Sequence, residues 1–425
     1  MDAPVEKRII LLMGSLTYRA NAFVAAGERL GLEVVKGLDM PGPLARYWHL
    51  PLALDFRDPE RAVQDLVAYA RAHPVRAILS VDDAATVIAA RACQELGLAH
   101  NAPDASYAAR DKHLMRQRLS AAGVPCPRFH LYHTDDDPTQ IAPAQTYPCV
   151  VKPTQLSASQ GVIRANDPGE FVAAFTCTRS IVLGSGGEPG QGGKAHILVE
   201  DYIPGVEVVL EGILVRGLLQ LLALFDKPDP LEGPYFEETI YVTPSRLPAA
   251  TQQSIVDCAA QACAALGLRE GPVHAELRIN EPGPWIVEVA GRSIGGLCSK
   301  ILRFGTEEIS LEELILRHAM GMEVEALQRE NRAGGVMMIP IPRAGLLKRV
   351  EGLAEAEAVP GVEEIDITLP IGHSVVPLPE GSSYLGFIFA RAPQPEEVEA
   401  ALREAHRRLR FVILPQVHLA PVDRR

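Results

Sequence analysis

The sequence lacks the features that mark several large classes of protein. Its seven cysteines are scattered, without a CxxC pair or another metal-ligand spacing, which excludes a disulfide framework or a cysteine zinc site and indicates reduced thiols. No apolar run is long enough to span a bilayer, so we expect no membrane partner. Basic residues are fewer than acidic ones, 41 against 53, and the net charge of -12 argues against nucleic acid as the main partner.

We also expect no secretory signal at the N-terminus. Four of the first eight residues are charged, and the eight lead directly into a short apolar run, which is not the pattern of a signal peptide. Together with the reduced thiols, this predicts a cytoplasmic protein. The composition is ordinary for a globular protein, with 47% hydrophobic and 22% charged residues, and the 425 residues predict two or three domains.

The first part of the chain, residues 1–110, alternates apolar runs with helix-like stretches. This order predicts a small parallel sheet with helices on both faces, an α/β domain. A dinucleotide fingerprint, which needs GxGxxG, is not present, because only Gly14 and Ser15 follow the first run. The predicted elements are, in order, a strand over 8–13, a helix that ends near Leu30, a strand over 31–35, a helix over 59–72, a strand over 75–81 and a helix over 84–96.

Two aspartates, Asp82 and Asp83, follow the third predicted strand of this sheet. Aspartate is a common N-cap residue, so the pair could cap the helix over 84–96. The carboxyl ends of parallel strands are also where open sheets bind ligands, so the pair could instead contact a substrate. Both interpretations stay open from the sequence.

The middle part, residues 111–330, contains motifs suited to phosphate binding. Lys112 opens an amphipathic helix, and Lys152 lies on a strand over 147–153. The loop that follows, 154–161, is rich in small and hydroxylic residues and could lay backbone N–H groups over phosphates, although a flexible turn is the alternative. A glycine-rich stretch, 184–193, is of low complexity and is predicted to be mobile, with no chemistry assigned to it.

Two glutamates of the middle part carry the most information about chemistry. Residues 274–292 alternate apolar and polar side chains around a Pro-Gly-Pro sequence, which predicts a β-hairpin centred on Pro282. In that register Glu276 lies directly opposite Glu288, where side chains are only about 5 Å apart and like charges repel. A hard divalent cation, usually Mg²⁺ that carries a nucleotide phosphate, explains such a pair.

The alternative for this hairpin is a solvated charged face. Trp285, Val287 and Val289 are then predicted to form the buried face, which leaves the glutamates in water. Arg292 follows Glu288 on the same face and could hold a phosphate or a carboxylate through two hydrogen bonds. The last part, residues 331–425, alternates short strands with turns before a helix over 395–408, which predicts an α+β domain.

The order of these motifs along the chain resembles the ATP-grasp superfamily. The resemblance covers residues 1 to about 330, and within the superfamily it is greatest to the L-amino-acid ligases, which make dipeptides. Residues 225–245 and 333–352 also look like that group. The motifs that carry the resemblance are Asp111-Lys112, Lys152-Pro153, the loop that ends at Gly161, Glu200 to Glu207, and Glu276, Glu288 and Arg292.

The resemblance implies a fold of three units and a nucleotide site. The units would be an N-terminal parallel-sheet domain over 1–110, an ATP-grasp core of two subdomains over 111–330 and a C-terminal α+β domain over 331–425. The implied cofactors are ATP and one or two Mg²⁺ ions, for which Mn²⁺ can substitute. The implied ATP contacts are Lys112 and Lys152 to phosphates, Ser157, Ser159 and Gly161 in the covering loop, Glu200 with the backbone of Tyr202 and Ile203 at the adenine, and Glu207 at the ribose.

The metal ligands implied by the resemblance are Glu276 and Glu288, with Arg292 beside the transferred phosphoryl group. Many members of the superfamily have asparagine two residues after the second glutamate, whereas this chain has Ala290. A second ion would then be held less completely, or through Glu288 bridging both ions. His274 lies on the face of Glu276 and could orient substrate or accept a proton from the amine, and a structural histidine is an equal alternative.

The activity implied by the resemblance is that of an ATP-dependent carboxylate-amine ligase. A carboxylate, expected to be an amino acid, would form an acyl phosphate, and an amine would displace phosphate to give an amide, with ADP and phosphate released. Biotin-carboxylase-like and D-amino-acid-ligase-like enzymes are alternatives, as is a non-catalytic ATP-binding scaffold, and a homodimer stays open. The residues expected at the substrates are Asp82, Asp83, Glu237, Glu238 and Tyr241.

Overall fold

The N-terminal unit is a four-stranded parallel sheet. The computed structural model describes residues 7–415 apart from 16, 18, 41–43, 45, 46, 48, 49, 185–194 and 325–327. The strands lie in the order β3-β2-β1-β4, all parallel, which confirms the α/β prediction. The elements are β1 (Arg8–Met13), α1 (Ala20–Arg29), β2 (Glu33–Asp39), β3 (Leu52–Leu54), α2 (Pro59–Ala72), β4 (Ala77–Ser80) and α3 (Thr86–Leu96).

A second, antiparallel sheet of four strands carries the first phosphate-binding motifs. Its order is β5-β8-β6-β7, so the strand that bears Lys152 lies beside the strand that bears Glu200. The glycine-rich stretch predicted to be mobile lies, from residue 185 onward, outside the described residues. The elements are α4 (Pro103–Arg110), α5 (Lys112–Ala121), β5 (Phe129–His133), α6 (Pro138–Ile141), β6 (Cys149–Pro153), β7 (Ile163–Ala165), α7 (Pro168–Gly184) and β8 (His196–Asp201).

The largest sheet has eight strands and runs from the middle part into the C-terminal part. Its strands alternate in direction, since each neighbouring pair is antiparallel. The elements of the middle part that belong to or cover it are β9 (Val206–Val215), β10 (Leu218–Asp226), β11 (Ile240–Thr243), α8 (Ala249–Leu266), β12 (Gly271–Asn280), β13 (Gly283–Ala290) and α9 (Leu311–Ala319).

The C-terminal part completes this sheet and adds a small one. The large sheet has the order β13-β12-β9-β10-β11-β14-β18-β16, and the small sheet has the order β17-β15-β19. One continuous sheet therefore crosses the division predicted near residue 330. The elements are β14 (Ala333–Ile339), β15 (Gly345–Glu351), α10 (Leu353–Glu357), β16 (Val362–Asp366), β17 (Ser374–Val375), β18 (Gly386–Ala392), α11 (Pro395–Arg408) and β19 (Arg410–Leu414).

Apolar packing joins the N-terminal sheet to the large sheet. Ile9 and Leu11 of β1 belong to the same buried cluster as Val209 of β9 and Phe387 of β18. Because one core is shared, the carboxyl end of β1 is held rigidly against the large sheet, where the predicted site lies. No helix within the described ranges is long and apolar enough to cross a membrane.

Candidate active site

The hairpin of β12 and β13 places the two predicted metal ligands face to face. Glu276 pairs with Glu288 in the register, as the sequence predicted. The turn itself is tighter than predicted, since Asn280 pairs with Gly283. The register then shifts by one residue between Glu276 and Leu277, and this β-bulge brings the two glutamates opposite each other. The two carboxylates offer only oxygen donors, which fits the preference of Mg²⁺.

The bulge also changes which side chains of β13 are buried. Ile286 and Val289 are fully buried, whereas Val287 faces the cavity beside Glu288 and Trp285 is only half-buried. The prediction of a buried face made of Trp285, Val287 and Val289 is therefore wrong for the first two. A bulge adds one residue and so breaks the strict two-residue alternation on which that prediction rested.

Buried charges surround the predicted phosphate lysine Lys152. Its Nζ lies 2.5 Å from Glu200 Oε2, and Arg116 Nε lies 2.7 Å from Glu200 Oε1. All three side chains are buried. Burial alone raises the pKa of Glu200, but Arg116 and Lys152 outweigh it and lower that pKa. Burial lowers the pKa of Lys152 despite its partner. Because two basic side chains face the single carboxylate of Glu200, an added anion would stabilise the charged form of Lys152.

The second predicted lysine joins the covering loop to the metal pair. Lys112 Nζ donates to the Leu156 carbonyl at 2.9 Å and lies 3.3 Å from Glu288 Oε2. Asp111 caps the helix that Lys112 begins, since its carboxylate accepts from Leu114 N at 2.8 Å. The helix start is thus fixed, and it directs the lysine into the cavity.

Asp83 of the N-terminal domain contacts Arg292, which is expected beside the transferred phosphoryl group, and Ser157 of the covering loop. Arg292 Nη2 lies 2.7 Å from Asp83 Oδ2, and Ser157 Oγ donates to the same oxygen at 3.2 Å. The pKa of Asp83 is lowered because Arg292 outweighs the effect of burial. Asp82 accepts from Gly14 N at 3.1 Å and Thr17 Oγ1 at 3.3 Å.

The capping interpretation of the two aspartates is wrong. Neither side chain caps the short 3-10 turn at 83–85 or the helix α3, whose N-cap is Ala85 without a side-chain bond. Both carboxylates are instead taken up by contacts across the site, which compete with a local cap. Both side chains line the cavity, and their contact with a substrate stays a prediction.

The covering loop is held in an unusual backbone conformation. Ala158, Ser159 and Gly161 have φ values of 54°, 54° and 71°, a left-handed region that favours glycine. The loop is also tied to the C-terminal part, because Gly161 N donates to the Pro379 carbonyl at 2.9 Å. This second attachment fixes the loop over the cavity and could not be read from the local sequence.

The predicted adenine hinge offers fewer backbone groups than expected. Tyr202 N already donates to the Pro148 carbonyl at 3.1 Å, so Tyr202 can offer only its carbonyl. In the described part of the chain, Ile203 N has no hydrogen bond. The Tyr202 ring stacks against Phe236 at 6.4 Å and lies 4.1 Å from the Arg164 guanidinium, which builds a planar wall at this end of the cavity.

The histidine beside the metal pair is clamped between two carboxylates. His274 Nδ1 lies 3.3 Å from Glu211 and its Nε2 lies 3.4 Å from Glu276. Burial lowers the pKa of His274, but these two bonds outweigh it and raise the pKa to about 9. At neutral pH the ring is therefore an imidazolium, which disfavours it as the acceptor of a proton and favours a role in orienting Glu276.

One cavity of about 640 Å³ brings most of the predicted residues together. Glu237 lies outside it, because its carboxylate accepts from the Ile341 backbone instead. Gly161 supports the loop without lining the cavity. The predicted residues that line it are Asp82, Asp83, Lys112, Lys152, Ser157, Ser159, Glu200, Tyr202, Ile203, Glu207, Glu238, Tyr241, His274, Glu276, Glu288 and Arg292.

Three protein-family models match separate parts of the chain. The ATP-grasp N-terminal domain matches residues 24–100 and the ATP-grasp domain matches residues 145–301. The L-amino acid ligase C-terminal domain 2 matches residues 337–413. A crystal structure of an L-amino acid ligase from Bacillus licheniformis superposes with a TM-score of 0.81 at 26% identity, over 97% of this chain and 100% of that one.

This chain carries an ATP-grasp domain. Within the ATP-grasp superfamily, the chain is similar to the L-amino-acid ligases, as the sequence predicted. Alanine–anticapsin ligase of Bacillus subtilis is 27% identical over 289 residues, which cover 63% of this chain and 60% of that protein. Carnosine synthase 1 of Gallus gallus is 33% identical over 252 residues, 56% of this chain and 27% of that protein. The chain thus spans about 60% or less of these relatives' length.

Several residues in or beside this cavity were missed by sequence reasoning. Arg116 and Lys227 are buried partners of predicted acidic residues, and Ser382 and Tyr384 reach the cavity from the C-terminal part. A lone basic residue on a helix or after a strand gives no signal that its partner lies far away in sequence. For Lys227 the sequence did hold one indication, because residues 225–245 resemble the L-amino-acid ligases.

Proposed function

We propose that this chain is an ATP-dependent ligase that joins the carboxylate of one small molecule to the amine of another. The observation that supports this proposal best is the shared cavity in which Lys112, Lys152 and Arg292 surround the Glu276–Glu288 pair. Phosphoryl transfer asks a protein mainly for positioning and for neutralisation of charge, and this set of side chains supplies both.

The nucleotide is proposed to lie between the two antiparallel sheets. Ile203 N and the Tyr202 carbonyl would meet the base, and Glu207 would meet the ribose through lone pairs not used by its cation partners. Lys152 and Lys112 would neutralise phosphate oxygens, since the cluster around Lys152 has an excess of positive charge. Mg²⁺, held by Glu276 and Glu288, would supply further charge neutralisation and fix the phosphate chain.

The substrates are proposed to be amino acids. The relatives are named as a ligase of alanine and anticapsin, a carnosine synthase and an L-amino acid ligase, all of which concern amino acids. Glu238 suits an ammonium group, because Lys227 and Tyr241 both donate to its Oε1 and its Oε2 has no hydrogen bond among the described residues. Arg292 would then face the carboxylate and the transferred phosphoryl group.

The proposed reaction has two steps. A carboxylate oxygen attacks the γ-phosphorus, the bond to the β-phosphate oxygen breaks, and ADP leaves an acyl phosphate. The amine nitrogen then attacks the acyl carbon, and the bond from that carbon to the phosphate oxygen breaks. The departing phosphate keeps the bonding electrons and takes up the proton that the nitrogen loses as the amide forms. The loop over 154–161 would exclude water from the acyl phosphate, because its attachment to Pro379 holds it over the cavity.

The test is amide formation by the chain with ATP, Mg²⁺ and pairs of L-amino acids. Product mass, released phosphate and the spent nucleotide are measured together, and ADP with an amide is expected. Glu288→Gln should abolish turnover while leaving the fold intact, because the metal pair loses one charge. Glu281→Gln, on the exposed turn of the same hairpin, is the matched control and should keep the wild-type rate.

Four outcomes would contradict parts of the proposal. AMP and pyrophosphate as products would exclude the acyl-phosphate route. ADP formed without an amide, across a broad amine screen, would favour a carboxylase-like or kinase-like member of the superfamily. Phosphate release by Glu288→Gln at the wild-type rate would remove the metal assignment, and the absence of nucleotide cleavage under all conditions would favour a scaffold.

A further inference from the structure

One lysine lies at the centre of three carboxylates beside the proposed metal pair. Lys227 directly follows β10, and its side chain is only 3% exposed. Its Nζ lies 2.7 Å from Glu207 Oε1, 2.6 Å from Glu238 Oε1 and 3.6 Å from Glu276 Oε2. An ammonium group has three donors, so it can serve all three carboxylates at once.

The three carboxylates have the spacing of a divalent-cation site. Glu207, Glu238 and Glu276 each offer an oxygen atom, and these atoms lie within 4.8 Å of one another. Three acidic side chains so close together require a cation, because the desolvated charges repel one another strongly. The cation that the chain provides is Lys227, whose Nζ is within hydrogen-bond distance of two of the three.

The surroundings hold this lysine in one place. Arg278 Nε takes the other oxygen of Glu207 at 2.8 Å, and the Tyr241 hydroxyl donates to Glu238 Oε1 at 2.6 Å. Two cations thus face three carboxylates, which leaves little net charge to attract a further ion. A divalent ion bound among these oxygens would have to share the space of the ammonium, and their like charges would repel.

The neighbouring hairpin adds a reason for a built-in cation. Two residues beyond Glu288, Ala290 is buried and offers no ligand atom. The metal pair therefore has few donors for a second ion, and positive charge beside Glu276 has to come from the protein. Lys227 is placed to supply it at Glu276 Oε2, and His274 lies at the other oxygen of Glu276.

We propose that Lys227 is a positioning residue that fills, as a fixed cation, the place a divalent ion could otherwise take among Glu207, Glu238 and Glu276. Divalent metal is then restricted to the Glu276–Glu288 pair, and Glu207 and Glu238 are kept for the nucleotide and the substrate. This inference rests on the proposed function for those two roles, whereas the exclusion of a divalent ion rests on the geometry alone.

The test counts Mn²⁺ ions bound to the full chain without nucleotide or substrate, by electron paramagnetic resonance of free Mn²⁺. Lys227→Met, which keeps the length of the side chain and removes its charge, should bind one Mn²⁺ more than the wild type. Lys227→Arg should keep the wild-type count, because the charge is restored. Lys227→Met combined with Glu238→Gln should lose the added ion, because one of its three ligands is weakened.

Lys300→Met is the matched control. Lys300 Nζ also lies between two carboxylates, at 2.6 Å from Glu364 and 3.9 Å from Asp366, but it lies outside the cavity and is partly exposed. This variant should bind no additional Mn²⁺. An increase equal to that of Lys227→Met would show that any exposed acidic pair gives the effect and would overturn the proposal.

The other outcomes are also decisive. An unchanged Mn²⁺ count in a Lys227→Met protein with the wild-type circular dichroism spectrum would overturn the proposal. If Lys227→Met does not fold, Glu207→Gln and Glu238→Gln are compared with the wild type instead. Each should keep the wild-type Mn²⁺ count, because no divalent ion uses these carboxylates while Lys227 is present. Loss of a wild-type ion in both variants would overturn the proposal. Mn²⁺ counts as expected without any amide product would leave the inference standing and contradict only the proposed reaction.

Discussion

The buried cluster around Glu200 makes a quantitative prediction about stability. Arg116 is fully buried, lies 2.7 Å from Glu200 Oε1, and donates through Nη2 to the Val287 carbonyl at 2.5 Å. It therefore joins helix α5 to β8 and to the strand that carries Glu288. Arg116→Met keeps much of the apolar stem of the side chain and removes only the charge and its donors.

The expected cost follows from the burial of the partners. Breaking a buried ion pair by removing one member costs roughly 3–5 kcal/mol, because the other charge stays buried. Lys152 still neutralises Glu200 after the substitution, and this lowers the cost. The Val287 carbonyl loses its donor, and this adds about 1–3 kcal/mol if the carbonyl is left unpaired. We expect the free energy of unfolding to fall by roughly 3–5 kcal/mol.

The neighbouring residue of β8 provides a matched control. Asp201 pairs with Arg128 at 2.6 Å, but the Arg128 side chain is 77% exposed. Exposed pairs contribute at most about 1 kcal/mol, so Arg128→Met should have little effect. Both variants are compared with the wild type by urea denaturation, with circular dichroism as the probe and equal slopes required for the comparison.

Equal shifts of the urea midpoint in the two variants would refute this reasoning. Such a result would mean that burial of the Glu200 cluster does not set the strength of its ion pairs. A loss of stability below about 1 kcal/mol for Arg116→Met would refute it as well, since that is the range of an exposed pair.

Two further predictions concern the same cavity. Glu211 and Glu276 raise the pKa of His274 to about 9 against the effect of burial, so its stabilising contribution is complete below about pH 6.5 and is lost as pH rises through about 9. The wild type should lose more stability over that interval than His274→Gln, and parallel urea midpoints for both proteins would contradict this. Gly161→Ala should weaken ATP binding measured by calorimetry by about 1–2 kcal/mol, because φ is +71° and a Cβ would lie 2.9 Å from a proline ring. Gly184→Ala, where a Cβ meets nothing within 4 Å, should leave the affinity unchanged, and equal losses in both variants would count against a special role for the loop backbone.

Local patterns were enough to predict the main elements and the order of the motifs. The helix over 59–72 is found with the same bounds, because its apolar spacing and its Asp-Pro start are local signals. The same holds for the parallel strands of the N-terminal domain, whose continuous apolar runs are typical of burial on both faces. The opposed pair Glu276 and Glu288 could be predicted as well, because a hairpin brings together residues that are close in sequence.

The predicted register was nevertheless right for an incomplete reason. A hairpin centred on Pro282 gives the same opposed pair as a tighter turn followed by a bulge, and only the second is found. Bulges depend on how a strand bends against its neighbours, so the alternation in the sequence could not reveal that Val287 faces the cavity. The burial of β13 was therefore decided by the packing of the sheet.

The sequence by itself determined which chemical groups are available and in which order the elements follow, since propensity, alternation and motif spacing are properties of short segments. The tertiary structure alone decided the pairing of charges. Lys227 meets carboxylates from β9, from β12 and from the loop before β11, and Arg292 meets Asp83 of the N-terminal domain. The physical reason is that the strength and the partner of a buried charge depend on distance and desolvation, and both are fixed only when segments far apart in sequence pack around one cavity.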